Sequence, residues 1–223
     1  MEKSQISIAL KELREKSPKR NFNQSVDILI TLKDIDMKKQ ENKIEIYTIL
    51  PHTRGKKIKI CGLVDQSLAS LAKKSLDNVV LLEDFKKYDK KKDIKKLATE
   101  YDFFVAQDNI MTKIATTFGK VLGPKKKMPN PKAGCIIPGN IPSLEPIVER
   151  LNKTVKLISG NEKAIKTCIG RQDMQNEELI DNILAVYSAL ITKLPNEASN
   201  IKNVMLKFTM GPGYIIDKGI KEK

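Results

Sequence analysis

Five lysines fall within residues 119–134, GKVLGPKKKMPNPKAG, together with three glycines and three prolines. Prolines fix φ and glycines admit tight turns, so the stretch reads as a shaped loop. It presents Lys120, Lys125, Lys126, Lys127 and Lys132 as point charges suited to phosphates. An ordinary solvated basic loop is the competing reading. The chemistry is not that of a nucleotide loop. The spacing GxxxxGK[ST] is absent, no Ser or Thr follows a suitably placed lysine to hold Mg²⁺, and GxGxxG is missing. His52 is the only histidine, and no Ser, Cys or carboxylate is spaced to orient it as a base. Beside Pro51 it reads as a structural or polar residue between domains. Cys61, Cys135 and Cys168 are odd in number and far apart, without metal-ligand spacing. They suit a reducing compartment and read as small buried residues, Cys61 above all. No catalytic residue, metal or cofactor is therefore expected.

The 223 residues carry 41 Lys+Arg against 27 Asp+Glu, a net +14, with 40% apolar residues, 5% aromatics and no Trp. Such a length buries one large core or two modest ones, and is too apolar for a disordered polyelectrolyte. The charge favours nucleic acid or an anionic membrane surface. So few aromatics argue against a sheet that reads bases mainly by stacking. The charged N-terminal stretch has no apolar signal segment, and no run approaches the roughly 18 apolar residues of a membrane span. A soluble cytoplasmic protein without a membrane partner is expected.

Elements that would position these residues follow from periodicity. A helix over 4–15 places Ile8, Leu10 and Leu13 among charges, and strands are expected at 26–32 and 44–50 around a loop at 34–43. Residues 59–118 alternate short apolar strands with helices, the last at 111–118, as a parallel α/β sheet does. Residues 119–142 are too rich in Gly and Pro for regular structure, and a helix resumes over 144–151. Strands at 155–158 and 164–170 look paired around a turn at 159–161. The strongest helix follows, with Ile180, Ile183, Leu184, Tyr187, Leu190, Ile191 and Leu194 on one stripe and Asn176 as N-cap. A last alternating strand spans 204–210. The economical organisation is an insertion: 1–57 with 154–223 form an α+β domain, and 58–153 an inserted α/β domain. The 17 basic and 11 acidic residues of 61–154 leave 24 and 16 outside, so the charge is shared and not a basic tail.

At residues 114–134 the sequence resembles the signature of the large-subunit ribosomal protein L1 family, close to GxxLGPRGxMPxPKxG. Leu50-Pro51-His52 with Gly55-Lys56 resembles the family's hinge stretch, and Thr209-Met210-Gly211-Pro212 its C-terminal RNA-contact motif. Phe22 occupies the position of the family's aromatic beside the RNA surface. The three motifs occur in order over essentially the whole chain, and its lysine-rich tone looks archaeal-like. The resemblance implies a split domain I carrying the principal RNA site and a Rossmann-like domain II without nucleotide. It implies binding to large-subunit rRNA in the mobile L1 stalk, contact with exit-site tRNA, and repression through the protein's own mRNA. A ribosome-associated protein, monomeric off the ribosome, is expected.

Carried onto this sequence, Thr209, Met210, Gly211 and Pro212 are the turn that meets RNA, with Thr209 offered to a 2′-hydroxyl. Met210 also continues the alternation of Val204, Leu206 and Phe208, so a core position competes. Phe22 packs on a ribose or base, or else caps the core. Lys16, Lys19 and Arg20 are expected phosphate contacts, and Lys156 and Lys166 lie on strand faces of the same domain. Pro51, His52, Gly55 and Lys153 mark the hinge. The chain departs from the family where Lys125-Lys126 replace Arg-Gly, which would strain any turn needing φ > 0, and where Thr53 replaces a hinge glycine. The lysine run 86–96 reads first as a solvated face and second as an electrostatic surface toward RNA. An α/β enzyme for an anionic substrate and a non-ribosomal regulator of the same fold are the rival readings.

Overall fold

The computed structural model describes residues 1–18, 20–36, 42–88, 90–139, 141–159, 162–216 and 219–220. The expected contact at Lys19, much of the 34–43 loop and most of the 159–161 turn lie outside them. The architecture is mixed α/β, with several sheets in two compact units: Met1–Lys56 with Lys153–Lys223, and Lys57–Asn152.

In the first unit the period-two run of β1 (Ser25–Leu32) buries Val26, Ile28, Ile30 and Leu32 and leaves alternate residues half exposed. It pairs antiparallel on both edges, with β8 (Ala164–Arg171) and β9 (Ile201–Phe208). Beyond β9 the sheet continues through β10 (Gly213–Ile215) and β11 (Gly219–Ile220). A two-stranded sheet joins β2 (Glu45–Ile49) to β7 (Thr154–Ile158). The expected β7–β8 hairpin is thus replaced by separate partners, and only an isolated bridge, Ser159–Ile165, links them. Within the five-stranded sheet β8 and β9 satisfy both edges of β1.

Helices α1 (Lys3–Lys16) and α6 (Asn176–Ile191) belong to the same core as the sheet's buried face. The buried stripe of α1 is Ile6, Ala9, Leu10 and Leu13, and Ile8 is 55% exposed. Ile8 stands two residues from Ile6 and Leu10, hence on the opposite side of a 3.6-residue turn. In α6 the cap is Gln175, through a reciprocal box with Glu178, and Asn176 is the first helical residue. Leu179, Ile180, Ile183, Val186 and Leu190 form its buried stripe, with Leu184 and Tyr187 at the margin. Arg14 fastens the helices together. Its Nη1 donates to the Gln172 carbonyl (2.7 Å), Nη2 to that of Met174 (2.8 Å) and Nε to Asn176 Oδ1 (3.0 Å).

The second unit is built on parallel strands β3 (Ile60–Val64), β4 (Asn78–Leu81), β5 (Phe103–Gln107) and β6 (Ile136–Ile137), ordered β4-β3-β5-β6. Helices α2 (Ala69–Ser75), α3 (Lys91–Glu100), α4 (Met111–Leu122) and α5 (Glu145–Lys153) are connected through it, the last residue of α5 falling in the first unit. Helix α4 outruns its expected end because Val121 and Leu122 continue the buried stripe of Ile114 and Phe118. Lys120 is accordingly helical and not part of the loop.

The chain leaves α4 through a helix-ending turn. Lys127 N–H donates to the Leu122 carbonyl (2.9 Å) and Lys126 N–H to that of Gly123 (2.8 Å), the paired bonds of a Schellman motif. Lys126 holds φ at +52° in this turn, at the position where glycine is usual. The strain anticipated from the missing glycine is therefore present. Lys126→Gly is expected to stabilise the second unit by about 0.5–1 kcal/mol, the left-handed cost for an L residue less glycine's unfolded-state entropy. A thermal melt reads this as a rise of a few degrees; a fall would show that the lysine's contacts outweigh the strain.

Candidate nucleic-acid interface

One face of the five-stranded sheet is open. The register sets Asp27 between Lys207 and Cys168, and Leu29 between Met205 and Lys166. Asp27, Leu29, Lys166, Cys168 and Lys207 line a hollow of about 470 Å³ on this face. Burial pushes the Asp27 carboxyl up from its ordinary value, against the pull of Lys207, and burial raises the Cys168 thiol. Lys207 stands opposite Asp27, and Lys166, two positions along on the other side of β1, is bonded to Glu162 (3.3 Å), so the two cations of this half-buried face are partly compensated. Asp27 and Lys207 are not among the site residues drawn from sequence. The signal for Lys207 was present, since the alternation that buries Leu206 and Phe208 turns Lys207 outward.

At the end of β9 the chain turns sharply. Gly211 N–H donates to the Phe208 carbonyl (3.0 Å), which ends the strand two residues before its expected limit. Met210 consequently leaves the alternation and is 61% exposed, so the core reading of this residue is wrong. Thr209 is exposed; its N–H donates to the Ser25 carbonyl (3.1 Å), with a longer bond from Oγ1 (3.4 Å). Gln24 is buried, and its Oε1 accepts from the Met210 N–H (3.1 Å). That bond ties the turn to the segment carrying Phe22, itself 54% exposed and no cap on the core. At Gly211 a Cβ would lie 3.2 Å from Ser17 Oγ and 3.3 Å from Phe208 Cβ. A side chain there would press on Ser17 and Phe208 by a few tenths of an ångström, so packing from inside the turn favours glycine.

Lys16 is exposed and ion-paired to Glu12 (2.7 Å), which partly offsets its charge; Arg20 is exposed, and Pro212 is half-buried next to Gly211. Lys156 Nζ is held by Glu45 (3.1 Å) and stands 5.1 Å above the Tyr47 ring, committed to the smaller sheet.

The basic loop of the second unit is partly spent on its own fold. Lys125 Nζ donates to Thr99 Oγ1 (3.0 Å) and the Lys95 carbonyl (3.4 Å), and Lys127 Nζ to the Tyr101 carbonyl (2.7 Å). These lysines cap the C-terminus of α3, where cations meet the negative end of the helix. Lys132 is exposed in a 3-10 turn, and the following Gly134 has φ +69° with Arg150 packed where a Cβ would stand.

The connecting segments are tied within the first unit. Leu50 N–H donates to the Lys153 carbonyl (2.9 Å), and the Gly55 carbonyl accepts from Arg171 Nη1 (3.3 Å). Gly55 needs its freedom, with φ +70°. His52, next to exposed Pro51, points at α6, its Nε2 3.6 Å from Asp181 and Nδ1 3.9 Å from Glu178. Burial carries the Cys61 thiol up to about 12. Among the described residues no group of three or more His, Cys, Asp or Glu could hold a metal ion, and no helix is long and apolar enough to cross a membrane.

The first unit thus presents a sheet face bearing Lys166 and Lys207, with Phe22 and Met210 exposed. The chain belongs to the ribosomal protein L1p/L10e family, whose model matches residues 11–212. It is 38% identical to the large ribosomal subunit protein uL1 of Thermococcus kodakarensis over 94% of this chain and 95% of that one. It is 39% identical to the protein of the same name from Pyrococcus abyssi, covering 95% and 94%. The uL1 of Methanothermobacter thermautotrophicus is 39% identical, covering 93% and 96%. The resemblance carried by the three sequence motifs, archaeal tone included, is borne out.

Proposed function

We propose that this protein is a structural constituent of the large ribosomal subunit that binds large-subunit rRNA and forms the L1 stalk, with no enzymatic role. Family membership over nearly the full chain carries the reading. The first unit acts as domain I and holds the principal RNA site: the open sheet face, the turn at Thr209, Met210 and Gly211, and Phe22. Phosphate contacts position the RNA, and a hydroxyl at Thr209 distinguishes ribose from deoxyribose. The second unit is the inserted, Rossmann-like domain II, binding no nucleotide. The connections around Pro51–Gly55 and Lys153 serve as its hinge, so that stalk movement assists release of exit-site tRNA. Repression through the protein's own mRNA uses the same domain I surface. Off the ribosome the protein is a cytoplasmic monomer.

The test is a titration against the stalk fragment of rRNA and a DNA duplex of equal length. RNA is expected to bind at least tenfold tighter, with a different salt slope. Equal affinities with identical slopes would leave only charge attraction and overturn the reading.

A further inference from the structure

Helix α3 carries an electrostatic arrangement that its own fold does not explain. Lys90 is its N-cap residue without a capping bond, and Lys91 and Lys92 share the first turn with one acid, Asp93, at the helix end where the dipole disfavours cations. Lys91 with Lys95 and Lys92 with Lys96 are i,i+4 pairs of like charge, which weaken a helix. All four side chains are exposed, and none forms an ion pair among the described residues. Asp93 in the first turn and Glu100, four residues after Lys96, are the only acids among the ten residues of α3, and neither forms an ion pair with the four lysines among the described residues, in contrast to Glu12–Lys16 in α1. Ile94, Leu97 and Ala98 face the core, so the lysines cannot turn inward. Lys125 extends the row, its Nζ resting on the last turn of α3.

We propose that the α3 lysine face, Lys91, Lys92, Lys95 and Lys96 with Lys125 at its end, is a second RNA-binding surface that neutralises backbone phosphates without reading sequence. The inference rests on the reading of the chain as an rRNA-bound protein. RNA is favoured over an acidic protein because the patch lacks an apolar centre. Among the described residues the exposed large hydrophobics are Ile8, Phe22, Ile49 and Met210, all in the first unit. Protein interfaces have apolar cores and are depleted in lysine, whereas phosphate neutralisation needs cations alone. An anionic strand would relieve the repulsion that the free helix carries.

The experiment uses the full chain and the variant K91Q/K92Q/K95Q/K96Q. Two RNAs are titrated: the bare stalk fragment, and the same fragment with a single-stranded extension of about 20 nucleotides, longer than a typical single-strand site. The extension is expected to tighten wild-type binding at least tenfold, and the variant to lose that gain. Its salt slope for the extended RNA should be shallower by about 0.7 per lysine engaged. Affinity for the bare fragment should not change, and the variant's melting temperature should rise as like charges disappear. An extension without effect on wild type, a variant that keeps the gain, or equal tightening by polyglutamate in place of the RNA extension would overturn the proposal. Failure of wild type to bind even the bare fragment would sink the ribosomal reading instead, before any lysine is changed.

Discussion

Replacing Met210 by aspartate is expected to weaken binding of the stalk rRNA fragment about a hundredfold while leaving the melting temperature unchanged. A hundredfold corresponds to roughly 2.7 kcal/mol. Met210 is 61% exposed and only its backbone N–H is bonded, to Gln24. Truncating or charging its side chain therefore removes nothing from the core. Covering an exposed methionine with a ribose or base yields about 1.5 kcal/mol or more, and a carboxylate near a phosphate in water costs about 1 kcal/mol. The two together reach the stated loss. Met210→Leu, which keeps the apolar contact, should stay within a few-fold of wild type. The pair K126Q/K127Q should also change stalk-RNA affinity only a few-fold. Lys127 is bonded to the Tyr101 carbonyl, so its loss is expected in the melt of the second unit. A larger binding loss from the lysine pair than from Met210→Asp would move the principal site to that unit.

What the sequence concealed had a common origin in contacts made far along the chain. Alternation located β1 within a residue and found β9 with its ends displaced by two or three, because burial on one face fixes a period of two but not where the strand stops. It could not reveal that β7 abandons its sequence neighbour for β2, because that partner lies far away along the chain. Nor could it end β9 at Phe208, because the turn is closed by Gly211 and anchored by Gln24 from across the sheet. The same period carried past that turn is what made Met210 look buried. At Lys126 the inference ran the other way. The family pattern marks a glycine, glycine marks a left-handed backbone, and the structure shows the turn kept with φ +52° despite the lysine. The open face of the sheet was legible in principle, but only with the neighbouring strands in register do Lys207, Asp27 and Lys166 become one surface. The capping of α3 by Lys125 and Lys127 had no local signal, since donors and acceptors come from separate segments.

The second large effect is on the fold that supports this site. Arg14→Met is expected to destabilise the first unit by about 3 kcal/mol, with the loss shared among three hydrogen bonds and discounted for partial exposure. Burial lowers the Arg14 pKa, but a guanidinium remains charged throughout the accessible pH range, so the effect should not vary with pH. Methionine preserves much of the apolar stem while stranding the carbonyls of Gln172 and Met174 and the amide of Asn176. Those acceptors form the turn that leads into α6, and Gln172 N–H also donates to the Gln24 carbonyl (2.9 Å). Gln24 in turn holds Met210. One guanidinium thus connects the end of α1, the start of α6 and the residue that fixes the RNA-facing turn. A drop of about 6–12 °C in the first unit's melting transition is expected, given 2–4 °C per kcal/mol at this size. Arg14→Lys should recover at most a third, because one ammonium cannot span acceptors arranged for a planar fork. Stalk-RNA affinity measured well below the transition should fall less than tenfold, since Gln24 keeps its own bond to Met210. A melting loss under 2 °C would mean that water or a shifted turn satisfies the three acceptors, and would remove Arg14 from its place as the fastener of this unit.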